Sequence, residues 1–168
     1  MKHCSLILAG LALSFLASCS APASFTDSRP ATTRGSGLRI AAVKTTAYTH
    51  SESDHIVHGA KTAVGTTLKS GRINSAAADW SVYPVGTVFR IEGQPGIYQV
   101  DDYGSALVGT NTIDIYKPSP GAMDQWGSRK VNIQVVKWGS FRKSLAIMEP
   151  RQTNGYIRRM VQRIRSSI

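Results

Sequence analysis

The chain has 168 residues and a formal net charge of +10, from 20 Lys and Arg against 10 Asp and Glu, with a pI near 10.0. That balance calls for an anionic neighbour, whether nucleic acid, acidic lipid or an acidic wall polymer, and the length suits one folded domain with a tether. Cys4 and Cys19 are the two cysteines, and removal of the N-terminal segment would leave Cys19 alone, which excludes an internal disulfide.

Lys2 and His3 precede an apolar run, SLILAGLALSFLA, that ends at Ser18-Cys19. A short basic start, an h-region of this length and small residues at the cut describe a signal peptide, too short for a membrane span. Leu16-Ala17-Ser18-Cys19 resembles a lipobox, in which the cysteine is lipidated and becomes the first residue; an ordinary signal cut near Ala21 or Ala23 is the alternative. Export removes nucleic acid from the expected partners. Ser20 rather than Asp after the cysteine points to an outer membrane, facing the periplasm. Residues 20–37, SAPASFTDSRPATTRGSG, have no apolar period and read as a flexible linker.

From Leu38 the pattern turns to short strands. LRIAAVKTTAYT (38–49) is β-branched and loosely alternating, and HSESDHIVHGAKTAVGTT is a polar, glycine-punctuated loop. GRINSAAAD, GTVFRIEG, GIYQVDD, TIDIY and KVNIQVVKW supply five more strands, separated by Tyr83-Pro84, Gly86 and EGQPG. SPGAMDQWG (119–127) predicts a short helix with Ser119 as N-cap, Pro120 at N1 and Gly127 past its end. Six short strands with one brief helix predict a mainly β fold, a small closed barrel. After Gly139, Tyr156, Ile157, Met160, Val161 and Ile164 fall at helical spacing, with Arg158, Arg159, Arg163 and Arg165 mostly opposite. This basic helix either packs on the barrel or lies on an anionic membrane or wall surface.

Within this basic chain, residues 79–124 hold six acids (Asp79, Glu92, Asp101, Asp102, Asp114, Asp124) and two bases, Arg90 and Lys117. The strand reading puts Asp79, Asp102 and Asp114 at strand ends, where loops can gather them. Clustered carboxylates repel, which raises the pKa of at least one and keeps a proton near neutral pH. Such an acid can protonate a glycosidic oxygen. Aspartate is also a common turn and capping residue, so the cluster alone leaves both readings open.

TTAYT, TAVGTTLKSG, AAADWSVYPVGTVFRIEG, YQVDDYGSALVGTNTIDIY and WGSRKVNIQVV, in that order from about Thr45 to Trp138, together resemble the 3D domain, named for three aspartates. That domain is similar to the catalytic parts of membrane-bound lytic transglycosylase A and of stationary-phase survival and resuscitation-type muralytic proteins. The resemblance implies a six-stranded double-psi β-barrel and cleavage of MurNAc–GlcNAc bonds in peptidoglycan with a 1,6-anhydro product. It makes Asp114 the acid/base and puts Asp102 and Asp79 in the same groove. It implies Thr46, Tyr48, Thr62, Lys69 and Gly104 as groove residues, Lys69 facing a lactyl or peptide carboxylate. One segment departs from the family: DYGSALVG stands where members read DTGGAIKG, so Val108 replaces a lysine, and the loop to Asp114 is one residue longer.

The expected organisation is a signal peptide at 1–18, a linker at 19–37 behind lipidated Cys19, a 3D-type barrel at 38–140 and a basic, helical C-terminal extension at 141–168. Peptidoglycan glycan strands are the expected partner, with membrane contact through the lipid on Cys19 and through the basic helix; the chain is expected to be a monomer without cofactor. Trp80 and Trp126 suit core packing better than sugar stacking. His50, Asp54, His55 and His58 match no strong zinc spacing, and no metal is expected. The competing functions are a non-catalytic wall-binding lipoprotein and a hydrolase releasing reducing MurNAc.

Overall fold

The computed structural model describes residues 37–52 and 59–168. The signal peptide, Cys19 and the linker up to residue 36 lie outside the described residues, as do Asp54, His55 and His58. Each predicted strand forms: β1 (Leu38–Tyr48), β2 (Ile73–Ala78), β3 (Val88–Ile91), β4 (Ile97–Asp102), β5 (Thr112–Tyr116) and β6 (Arg129–Lys137). They close into a barrel in the order β1-β5-β2-β4-β3-β6. The β1–β5 and β2–β4 pairs are parallel, and the other four are antiparallel. Closure leaves no unpaired sheet edge, and the period-2 alternation sends Val43, Ala76, Phe89, Val100, Ile113 and Ile133 into the buried interior.

Helix α1 (Pro120–Trp126) forms as the capping residues require. The Ser119 side chain accepts from Ala122 N, and Gly127, at φ 59°, ends the helix with its N–H on the Met123 carbonyl. The extension holds two helices where the residue pattern shows one. Ser140 accepts from Lys143 N and starts α2 (Phe141–Met148). A 3₁₀ turn with Pro150, which has no N–H to give, separates α2 from α3 (Gly155–Arg165).

Packing against the barrel is the outcome for α3. Ile157, Met160, Val161 and Ile164, at i, i+3, i+4 and i+7, are at most 1% exposed and share one apolar cluster with the barrel interior. Each such side chain contributes about 2 kcal/mol through burial. Arg158, Arg159 and Arg165 remain on the solvent side. Gly139, between β6 and α2, lies against the backbone of the 84–87 turn. A Cβ there would stand 2.3 Å from the Pro84 and Val85 carbonyl oxygens, so glycine is required by close approach.

Candidate active site

Four adjacent strands, β1, β5, β2 and β4, put Thr46, Asp114, Ala77 and Asp102 in register across the sheet. The chain neighbours of Asp114 and Ala77, namely Ile113, Ile115, Ala76 and Ala78, point into the core, so this row faces away from it. Asp114 and Asp102 are two strand spacings apart, about 10 Å between backbones. Asp102 ends β4 and Asp79 follows β2, as expected, but Asp114 sits in the middle of β5 rather than at a strand end. A strand centre can carry a carboxylate here because Asp114 points away from the core, half-buried between Thr112 and Tyr116 on that face.

A β-bulge brings in a further acid. Ala76 pairs with Val100 and Ala77 with Asp102, so Asp101 is the extra residue on β4. Val100 points inward, so simple alternation turns Asp101 outward and would send Asp102 inward; the bulge instead keeps Asp102 on the side of Asp101. Asp101 accepts from Ser75 Oγ (2.9 Å) and Lys69 Nζ (3.1 Å). Burial pushes its pKa up, partly offset by Lys69 and Ser75.

Asp102 accepts from Ala63 N (3.0 Å) and Tyr103 N (2.9 Å) on one oxygen and from the Tyr48 hydroxyl (3.2 Å) on the other. Burial first, then the charges of Asp102, Asp101 and Asp114, push the Tyr48 pKa far up, which keeps it a neutral donor among three carboxylates. Tyr48, Leu68, Leu107 and Tyr116 form a small apolar cluster with Ala77 of the row. Asp114 accepts from Thr46 Oγ1 (2.7 Å) and is partly exposed, whereas Asp101 and Asp102 are 2% and 5% exposed.

Asp79 is placed differently. At 1% exposure it accepts from Ser81 N and Oγ on one oxygen and from Gly109 N and Arg163 Nη1, both 2.8 Å, on the other. It ties the loop before β5 and helix α3 to the end of β2, and it offers no surface to a groove. Arg163 is thereby an ion-pair partner of Asp79 as well as part of the exposed basic side of α3. Lys69 is likewise engaged with Asp101 rather than turned toward a ligand. Thr62 is buried and bonded to Thr66 Oγ1 (3.0 Å). Gly104 lines a groove beside Asp102 at an ordinary φ of −134°, with room for a Cβ against Leu107. Val108, at the lysine position, packs against the core.

Trp80 is fully buried and donates to the Asp102 carbonyl (2.8 Å). Trp126 is buried between Lys117 and Arg129, 4.4 and 4.5 Å from its ring centroid. Both therefore serve packing. His50 Nδ1 bonds with the Tyr116 hydroxyl (2.8 Å). Residue-pattern reading counted Asp101 among the acids without assigning it to the site, and it missed Arg151, whose Nη1 donates to Ala63 O (2.8 Å) and Tyr103 Oη (3.1 Å) beside Asp102.

Residues 74–137 match the family model of the 3D domain. The match runs from β2 to the end of β6, so β1, with Thr46 and Tyr48, and helices α2 and α3 lie outside it. Among solved structures, MltA from Escherichia coli is similar, with 27% identity over 47% of this chain and 28% of that chain and a TM-score of 0.37. A second crystal structure of Escherichia coli MltA, described as revealing a unique lytic transglycosylase fold, gives 27% identity, 48% and 28% coverage and a TM-score of 0.38. The chain spans little more than a quarter of those MltA chains. No curated protein sequence matches it.

Proposed function

We propose that this protein cleaves peptidoglycan glycan strands as a lytic transglycosylase, with Asp114 as its acid and base. The observation that carries the reading is the outward row Thr46–Asp114–Ala77–Asp102, in which Asp114 alone of the two acids is open enough to meet a glycosidic oxygen. The 3D-domain match over residues 74–137 supports it.

Protonated Asp114 gives its proton to the leaving GlcNAc oxygen as the C1–O bond of MurNAc breaks, leaving an oxocarbenium-like sugar. The resulting carboxylate takes the proton of the MurNAc 6-hydroxyl as that oxygen closes on C1. One group thus serves both steps, and no water is consumed. Thr46 Oγ1, bonded to Oδ1, fixes the carboxyl orientation. Asp102, held by three protein donors, fixes the backbone and Tyr48 at the groove edge. Neutral Tyr48 joins the two sites without adding charge.

The expected setting is the periplasmic face of an outer membrane, with Cys19 lipidated. Sacculi digested with the full chain should release 1,6-anhydro-MurNAc ends by mass spectrometry. Asp114→Asn keeps size and polarity but carries no transferable proton, so it should lose nearly all cleavage, on the order of 10³-fold, while staying folded. Reducing MurNAc ends would mean hydrolysis instead. A folded Asp114→Asn protein that still cuts glycan would refute the mechanism.

A further inference from the structure

A groove of about 540 Å³ lies between the barrel and the C-terminal extension. Loop residues 61–65 form one side, Asp102 to Ser105 the floor, and Arg151, Asn154 and Tyr156 the other side. The wall carrying Arg151 belongs to the extension, outside the residues that match the 3D domain. Arg151 spans the groove through Nη1, bonded to Ala63 O and the Tyr103 hydroxyl. A guanidinium has five N–H donors in a fixed fork, so these two bonds leave donor capacity for a planar anion. Exposed Lys61 lines the same groove. Among the described residues the one acid in the lining, Asp102, already accepts from three protein donors. Two cations therefore face a cavity whose carboxylate is committed elsewhere. Tyr103 and Tyr156, edge to face at 6.2 Å, add ring surface suited to saccharide faces. Lys69, the cation expected for such a role, is drawn into its pair with Asp101.

We propose that Arg151 and Lys61 bind the carboxylate carried on the 3-O substituent of a muramyl residue, so that the extension selects muramyl glycan over neutral GlcNAc polymer. The inference rests on the glycan-cleaving reading and specifies its substrate. Asp102 both ends the row that holds Asp114 and lines this groove, so a glycan long enough to extend from Asp114 past Asp102 would bring its substituents to Arg151. Both the lactyl group and a stem peptide supply such a carboxylate.

Binding can be read apart from cleavage by using the full chain with Asp114→Asn and titrating three saccharides calorimetrically. These are peptide-free GlcNAc-MurNAc oligosaccharides, the same oligosaccharides bearing stem peptides, and N-acetyl chito-oligosaccharides of equal length. Muramyl ligands should bind about tenfold or more tightly than the chito-oligosaccharide. Adding Lys61→Gln or Arg151→Gln should weaken muramyl binding by about tenfold and leave chito-oligosaccharide binding within about twofold; Arg151→Lys, which keeps the charge but loses the fork, should recover only part of the affinity. Equal affinity for the two oligosaccharides without peptide, with and without the lactyl group, would exclude the lactyl carboxylate; if peptide-bearing ligands then gain nothing either, the proposal is overturned. Variants that weaken all three ligands alike would make Arg151 a wall support and also overturn it. Lys61→Gln guards against misfolding, since Lys61 is exposed. If the Asp114-intact chain leaves sacculi uncut while the carboxylate preference persists, the cleavage reading fails and this one stands.

Discussion

Replacing Asp79 separates a structural clamp from a member of the catalytic groove. With Asp79→Ala, the N–H groups of Ser81 and Gly109 lose their acceptor at a site where Asp79 is 1% exposed. Each donor left unsatisfied costs about 1–3 kcal/mol. The Arg163 side chain is 46% exposed, so its guanidinium turns to water and its share of the pair is small. The total comes to about 3–5 kcal/mol, a large part of the ~5–15 kcal/mol that holds a domain folded. Melting temperature should fall on the order of 10 °C. Asp79→Asn should cost somewhat less, since its amide oxygen can serve one donor pair while its NH₂ meets the other head-on. Arg163→Ala removes one of four donors and should cost only about 1 kcal/mol. Urea and thermal unfolding of the single and double variants, beside glycan cleavage, check the scheme. An Asp79→Asn protein of unchanged stability that cannot cut glycan would refute the clamp and return Asp79 to the chemistry.

Asp101 gives a pH signature. Because burial raises its folded-state pKa above the free value near 3.9, its contribution is full below that pH and is lost as pH rises through the folded value. The stability of wild type relative to Asp101→Asn should therefore fall as pH rises above about 4, followed by urea midpoints; a difference moving the other way would count against it. Gly139→Ala should destabilise by several kcal/mol, because its methyl meets backbone oxygens that cannot yield, and an unchanged melting temperature would contradict the close approach. Cys19→Ala should release the chain from membranes with the barrel still folded, as fractionation and circular dichroism would show. Continued membrane association would speak against lipid attachment or make the basic helix sufficient.

Much of the barrel was legible because its strands are short, β-branched and bounded by strong turn residues. Tyr83-Pro84, Gly86 and EGQPG mark the ends of β2, β3 and β4 within a few residues, and Ser119, Pro120 and Gly127 bound α1. Helix α2 was not legible in the same way. It has eight residues, and its buried positions, Ser144 and Met148, include a serine whose hydroxyl accepts from Val85 N. A polar side chain that faces the core because a particular backbone N–H waits there leaves no apolar period to read. The destination of Arg163 was hidden for a related reason. Helical spacing places it among solvated arginines, and only the loop before β5 and the end of β2 bring Asp79 within 2.8 Å.

The make-up of the acidic cluster turns on one residue of register. Strand side chains alternate, so consecutive Asp101 and Asp102 should face opposite sides, and a one-residue slip reverses every assignment beyond it. The bulge opposite Ala76 and Ala77 is that slip. Without it Asp102 would follow Val100 into the interior with Ile113 and Ile115, where an ionised carboxylate has no partner and a cost of several kcal/mol. With it, Asp102 stays beside Asp101, which meets Ser75 and Lys69, and their charges reach Tyr48 together with that of Asp114. The three acids that share one environment are thus Asp101, Asp102 and Asp114, while Asp79 holds the loop and α3 in place. This division of labour follows from burying two adjacent aspartates in a strand whose inner face is apolar: the chain must bulge there, and the bulge puts both on the face where Asp114 can use them.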